Sequence, residues 1–164
     1  MYILGDIGNS ESKVFLVNSK NKVIKNMIFP SKKINNKLLK SKFRYLVKDF
    51  NKIEKILFCS VVPKSFRLIK NFLSKKTKIR CYEVKDLKLK SLLNVEVNFN
   101  QVGSDRLTNA ISLADNHKNF VILDFGTATT FDVLMKNSYS GGIIAPGVRL
   151  SLNTLADKAT LIPK

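Results

Sequence analysis

Apolar positions recur at two different periods along this chain. Over the first 29 residues they form three short runs, at 2–7, 12–18 and 22–29. These are rich in Ile, Val, Leu and Phe and are separated by Gly8-Asn9-Ser10 and Asn18-Ser19-Lys20-Asn21. Short runs of this kind divided by turn formers predict an antiparallel meander of three strands. From 34 to 50 the period changes: Ile34, Leu38, Leu39, Phe43, Leu46, Val47 and Phe50 follow helical spacing. That predicts an amphipathic helix with lysines on its outer face. A buried strand is expected at 54–62, ending at Pro63, then a helix at 64–74 and a strand at 79–84. An irregular connection follows over 85–99. Leu107, Ala110, Ile111 and Ala114 predict a further helix at 104–117.

The pattern then restarts, with strands expected at about 119–124, 129–135 and 139–145 and a helix at about 148–158. A duplicated α/β unit is implied, with a first domain over 1–117 and the opening of a second over 118–164. A second copy that stops after one helix is expected to leave a sheet edge and an apolar face uncovered. Either another chain covers them or the polypeptide continues.

The first strand of each copy ends in the same punctuation. Asp6-Ile7-Gly8-Asn9-Ser10 follows one apolar run, and Asp124-Phe125-Gly126-Thr127-Ala128-Thr129-Thr130-Phe131-Asp132 follows the other. An acid leaving a strand can hold a hydrated Mg2+. The glycine lets backbone N–H groups approach a phosphate, and the hydroxyls complete an anion cradle. Two such cradles facing each other would make a phosphoryl-transfer site.

With 164 residues, 45% hydrophobic and 25% charged, the composition is that of a globular, soluble chain. No apolar run is long enough to span a bilayer, and the opening residues lack the basic region of a secretory signal. No membrane association and a cytoplasmic location are therefore expected. The net charge of +17 is concentrated in residues 20–90, where 22 Lys/Arg face only Asp49, Glu54, Glu83 and Asp86. These lysines are spread among Asn and Ile without an arginine cluster or interleaved aromatics, so a solvated surface is expected rather than nucleic-acid binding. Cys59 and Cys81 lack a metal or disulfide spacing and are expected to be buried free thiols. His117, near a helix end, is expected at the surface.

Together these segments resemble the actin-like and sugar-kinase ATPase superfamily, and within it type III pantothenate kinase. The resemblance is carried by five ordered motifs: Asp6 to Ser10, Ser60-Val61-Val62-Pro63, Gly103-Ser104-Asp105-Arg106, Asp124 to Asp132, and Gly141-Gly142-Ile143-Ile144-Ala145-Pro146-Gly147. Leu161-Ile162-Pro163-Lys164 resembles the segment that follows the last of these in the family. The implied fold is a duplicated actin-like ATPase (ribonuclease H-like) α/β fold, with mixed sheets flanked by helices and an incomplete second domain. The implied reaction is transfer of the γ-phosphoryl group of ATP to pantothenate, giving 4′-phosphopantothenate, the first step of coenzyme A biosynthesis.

The resemblance also distributes roles. Asp105 would be the general base, and Gly103, Ser104, Asp105 and Arg106 would bind pantothenate, with the Arg106 fork on a carboxylate or phosphate oxygen. Asp6 would hold Mg2+ through water, and Ile7, Gly8, Asn9, Ser10, Glu11, Ser12 and Lys13 would line the ATP phosphates together with Thr127. Asp124 would ligate a monovalent cation, K+ or NH4+. Asp132 is open to either a structural hydrogen bond or a direct site role, while Gly141, Gly142, Pro146 and Gly147 are expected only to shape a turn. Family members act as homodimers, so self-association is expected. Where the family carries Tyr-x-Asn-Pro, this chain has Glu96-Val97-Asn98-Phe99, which alters the surroundings of the pantothenate tail. The family continues past the Leu-Pro segment with its adenosine-binding face and a further substrate threonine, so weak ATP binding is expected of the chain as given. Two alternatives come from other classes: a regulator of transcription like Bvg accessory factor that binds nucleic acid, or a non-catalytic truncated subunit.

Overall fold

A computed structural model describes residues 1–159; Leu161 to Lys164, the last segment of the resemblance, lie outside the described residues. The chain divides into two compact units. One holds Met1–Lys88 with Gly103–Asp105, and the other holds Leu89–Val102 with the residues from Arg106 onward.

In the first unit β1 (Tyr2–Ile7), β2 (Glu11–Val17) and β3 (Val23–Pro30) form the expected antiparallel meander. Strand β1 also pairs in parallel with β4 (Lys55–Ser60), which in turn pairs in parallel with β5 (Cys81–Glu83), giving the order β3-β2-β1-β4-β5. Helices α1 (Asn36–Leu46) and α2 (Pro63–Ser74) supply Leu39, Phe43, Leu46, Ile69 and Leu73 to a core shared with Ile3, Ile7, Val14, Ile56 and Phe58. Burial of these side chains supplies the main driving force for this unit, at about 25 cal/mol per Å² of apolar surface.

Helix α1 is shorter than its periodicity predicts. Asn35 caps its start, accepting from Leu38 N at 2.9 Å, and Val47 leaves it in extended geometry. Asp49 then caps a separate 3-10 turn at Phe50–Lys52. Phe50 keeps the spacing because it packs on the same core, so the pattern reports burial beyond the helix. Helix α3 (Ser104–Leu113), which belongs to the second unit from Arg106 onward, likewise stops before 117, where the Asp115 side chain takes the His117 N–H at 2.8 Å. A short polar side chain offers the backbone an alternative partner and ends the helix.

The second sheet runs in the order β6 (Asn94–Val95), β9 (Ser138–Pro146), β8 (Ala128–Met135) and β7 (Asn119–Phe125). Here β7, β8 and β9 repeat the antiparallel meander. The region expected to be irregular contains 3-10 turns and one two-residue strand, β6 (Asn94–Val95), parallel to β9. Only the partner strand defines so short an element. Leu107 and Ala110 of α3 are buried, as are Leu134 and Tyr139. Val121, Leu123 and Phe125 of β7 are exposed, as are the apolar side chains of α4 (Val148–Lys158) at Val148, Leu150, Leu152 and Leu155. No helix among the described residues is long and apolar enough to cross a membrane.

Candidate active site

Strand alternation sorts the first cradle into two faces. Ile3, Gly5 and Ile7 turn to the core, while Leu4 and Asp6 turn to the opposite face. Ile7 is fully buried and Asp6 is half-buried. The register sets Lys13 of β2 and Cys59 of β4 opposite Asp6, which puts all three on one face. The Cys59 thiol donates to Asp6 Oδ1 at 3.5 Å. Burial first, then the charge and hydrogen bond of Asp6, with added repulsion from Asp105 and Glu83, push this thiol up from an ordinary 9.0 to about 12. Cys59 therefore serves as a protonated donor. The second thiol, Cys81, is buried and also pushed up to about 12, chiefly by desolvation.

The same alternation turns Ser12 away from Lys13 and into the core side of the sheet, where it is fully buried. Its hydroxyl meets Ser31 Oγ at 2.8 Å. Ser31 Oγ in turn donates to Gly8 O at 2.6 Å, and Ser31 N donates to Ser10 O at 3.0 Å. A hydroxyl has one hydrogen, so Ser12 is the donor in the Ser12–Ser31 pair. Ser12 and Ser31 thus hold the Gly8 to Ser10 loop from beneath. Gly8 N closes the turn on Glu11 O at 3.0 Å, and Asn9, Ser10, Glu11 and Lys13 stay exposed. Ser31 carried no sequence signal beyond its place after a strand, and sequence reasoning missed it.

Gly103, Ser104 and Asp105 belong to this same unit. Ser104 is 2% exposed; its hydroxyl accepts from Ser60 N at 2.7 Å and donates to Ser60 O at 3.0 Å. Glu83 Oε1 shares the Ser60 N–H at 3.2 Å, while its other oxygen accepts from Lys85 N at 2.7 Å. The start of α3 is thereby fastened to the end of β4, beside Cys59. A Cβ at Gly103 would overlap Asp105 Oδ1, so the Asp105 carboxylate folds back over a position that only glycine leaves open. The acids of two different motifs, Asp6 and Asp105, are consequently both felt by the Cys59 thiol.

Among the described residues no cluster of three or more His, Cys, Asp or Glu could hold a metal ion. A single carboxylate such as Asp6 suits Mg2+, which keeps most of its waters and takes phosphate oxygens from a nucleotide in preference to an all-protein cage.

In the second unit Arg106 points into a buried network. Its Nε donates to Asp132 Oδ1 at 2.7 Å, and a terminal nitrogen forms an ion pair with the same oxygen at 2.6 Å. Tyr139 OH also donates to Asp132 Oδ1, and Thr130 Oγ1 donates to Oδ2 at 3.4 Å. Asp132 and Tyr139 are fully buried. Asp124 is exposed at the end of β7 and accepts from Asn109 Nδ2 at 3.4 Å. Thr127 is exposed in the turn closed by Gly126 N on Ala128 O at 2.9 Å, and Gly147 N donates to Thr127 O at 3.1 Å. Gly147 thus backs the second cradle, a role beyond the simple turn expected for it. In the departing segment Asn98 caps the Phe99–Gln101 turn through Asn100 N at 3.1 Å, and Glu96 accepts from Ser140 Oγ at 2.8 Å.

The family model for type III pantothenate kinase matches residues 2–164. A curated type III pantothenate kinase from Pelagibacter ubique is 58% identical over 164 residues, covering 100% of this chain and 66% of that protein. The chain therefore spans just under two thirds of this relative's length. Among solved structures, a candidate Baf family transcriptional activator from Campylobacter jejuni superposes with a TM-score of 0.56 at 18% identity, covering 99% of this chain and 63% of the other. A candidate 2-dehydro-3-deoxygalactonokinase from Sinorhizobium meliloti gives 0.53 at 9% identity, covering 98% and 58%. At such identities the likeness establishes the shared sugar-kinase type of ATPase fold and nothing about activity. A family model that matches residues 2–164, nearly the whole chain, shows the family: the chain belongs to the type III pantothenate kinases.

Proposed function

We propose that this chain carries the phosphoryl-transfer residues of an ATP-dependent pantothenate kinase, which converts pantothenate to 4′-phosphopantothenate. The observation that carries the reading is the fastening of Gly103–Asp105 to the end of β4, which brings Asp105 into the surroundings that hold Asp6. Phosphoryl transfer needs little covalent help from a protein; it needs positioning, charge neutralisation and a group to take the alcohol proton.

In this reading Asp105 accepts the proton of the pantothenate primary hydroxyl as the new P–O bond forms. Arg106 engages the substrate carboxylate or a phosphate oxygen. Asp6 binds Mg2+ through water, and when bound the ion neutralises phosphate charge. Gly8, Asn9, Ser10 and Lys13 contact the β- and γ-phosphates, with Ile7 and Glu11 contributing backbone and Ser12 supporting the loop. Thr127 contacts phosphate from the second cradle, and Asp124 holds K+ or NH4+ as a single carboxylate on a strand end. A domain division at 117/118, a homodimer and a cytoplasmic location complete the proposal. The curated type III pantothenate kinases that the chain resembles favour the kinase over a nucleic-acid-binding regulator.

Asp105→Asn tests the central role, because it keeps shape and hydrogen bonding while removing the base. In a protein that includes the whole of the relatives' length, turnover should fall about 10²- to 10⁴-fold with folding intact. Unchanged turnover would refute the assignment.

A further inference from the structure

The carboxylate of Asp132 is a heavily subscribed acceptor in the second unit. Arg106 Nε, an Arg106 terminal nitrogen and Tyr139 OH converge on Oδ1, and Thr130 Oγ1 reaches Oδ2. Stability alone is a poor account of such a pair, because replacing a buried ion pair by apolar residues of similar volume is often neutral or stabilising. The surroundings are also shaped for the guanidinium. A Cβ at Gly142 would stand 2.6 Å from an Arg106 terminal nitrogen and 2.8 Å from Asp132 Oδ1, and would overlap Phe131 O. The Tyr139 ring centroid lies 6.0 Å from the guanidinium carbon.

We propose that Asp132 is a positioning residue: together with Tyr139 and the bare Gly142 it sets the plane of the Arg106 guanidinium for recognition of the substrate's carboxylate. A guanidinium is rigid and planar, so fixing one edge fixes the direction of all five N–H groups. Carboxylate recognition by arginine is planar and two-pronged, and it depends on that plane. Arg106 follows Asp105 directly, so the same turn of α3 carries the proposed base and the oriented fork. This inference rests on the proposed substrate role of Arg106 and deepens it.

The test needs no turnover. In a sample labelled with 15N, the Arg106 Nε–H should exchange with water at least about tenfold more slowly than those of exposed Arg44, Arg67 and Arg149. Tyr139→Phe keeps the buried ring and removes one donor to Oδ1; it should speed that exchange and weaken pantothenate binding about three- to tenfold, by titration of the same sample. Asp132→Asn keeps the side-chain shape, removes the charge and should exceed Tyr139→Phe in both readouts. Fast Arg106 exchange in the unaltered protein would overturn the proposal. So would variants that loosen Arg106 without changing pantothenate affinity. Arg106→Lys separates the underlying reading: unchanged affinity in that variant removes Arg106 from the substrate site, and the inference goes with it.

Discussion

Removing the Ser104 hydroxyl should loosen the attachment that puts Asp105 in place. The oxygen makes two bonds to one residue, accepting from Ser60 N at 2.7 Å and donating to Ser60 O at 3.0 Å. In Ser104→Ala the Ser60 N–H still has Glu83 Oε1 at 3.2 Å, while the carbonyl loses the Ser104 hydroxyl. At a net value near 1 kcal/mol per hydrogen bond, the loss should be about 2 kcal/mol. In Ser104→Ala/Glu83→Ala the Ser60 N–H loses both acceptors. The double variant should therefore lose about 1 kcal/mol more than the two single variants combined, the additional cost of stranding that donor. Urea unfolding followed by circular dichroism, arranged as a double-mutant cycle with slopes compared, measures both quantities. Strictly additive energies, or an unshifted midpoint in Ser104→Ala, would refute the shared-donor reasoning. Where turnover can be measured, a base displaced by about 1 Å should reduce it about 10²-fold.

Further outcomes follow from packing and burial. With both thiols pushed up to about 12 from an ordinary 9.0, Cys59 and Cys81 should react with iodoacetamide at pH 8 about a thousandfold more slowly than in the urea-unfolded chain. Because their folded values are raised, the stability they contribute is complete below pH 9 and declines as pH climbs toward 12. Brisk native labelling or a flat urea midpoint across that window would contradict this. Gly142→Ala should destabilise by about 1–3 kcal/mol by forcing a methyl group against the Phe131 carbonyl and the Arg106–Asp132 pair; an unchanged melting temperature would show that the space is larger than it looks.

The chain's own pattern determined the element order, because alternation and helical spacing follow local backbone geometry and need no knowledge of the partner. The meander of β1 to β3, its repeat in β7 to β9 and the limits of α4 were all readable that way. The succession of an acid, a glycine and hydroxyls after β1 and β7 was readable as well, since it is a local signal. Tertiary structure decided what the pattern could not: which side chains of a motif face the same way and what lies behind them. It turned Ser12 into the core while leaving Lys13 beside Asp6, and it created β6 from two residues that only β9 makes a strand. It tied Ser104 to Ser60 from 44 residues away and set Asp132 and Tyr139 against Arg106. Those contacts join residues far apart in the chain, and a hydrogen bond or a filled space exists only once folding has brought both sides together.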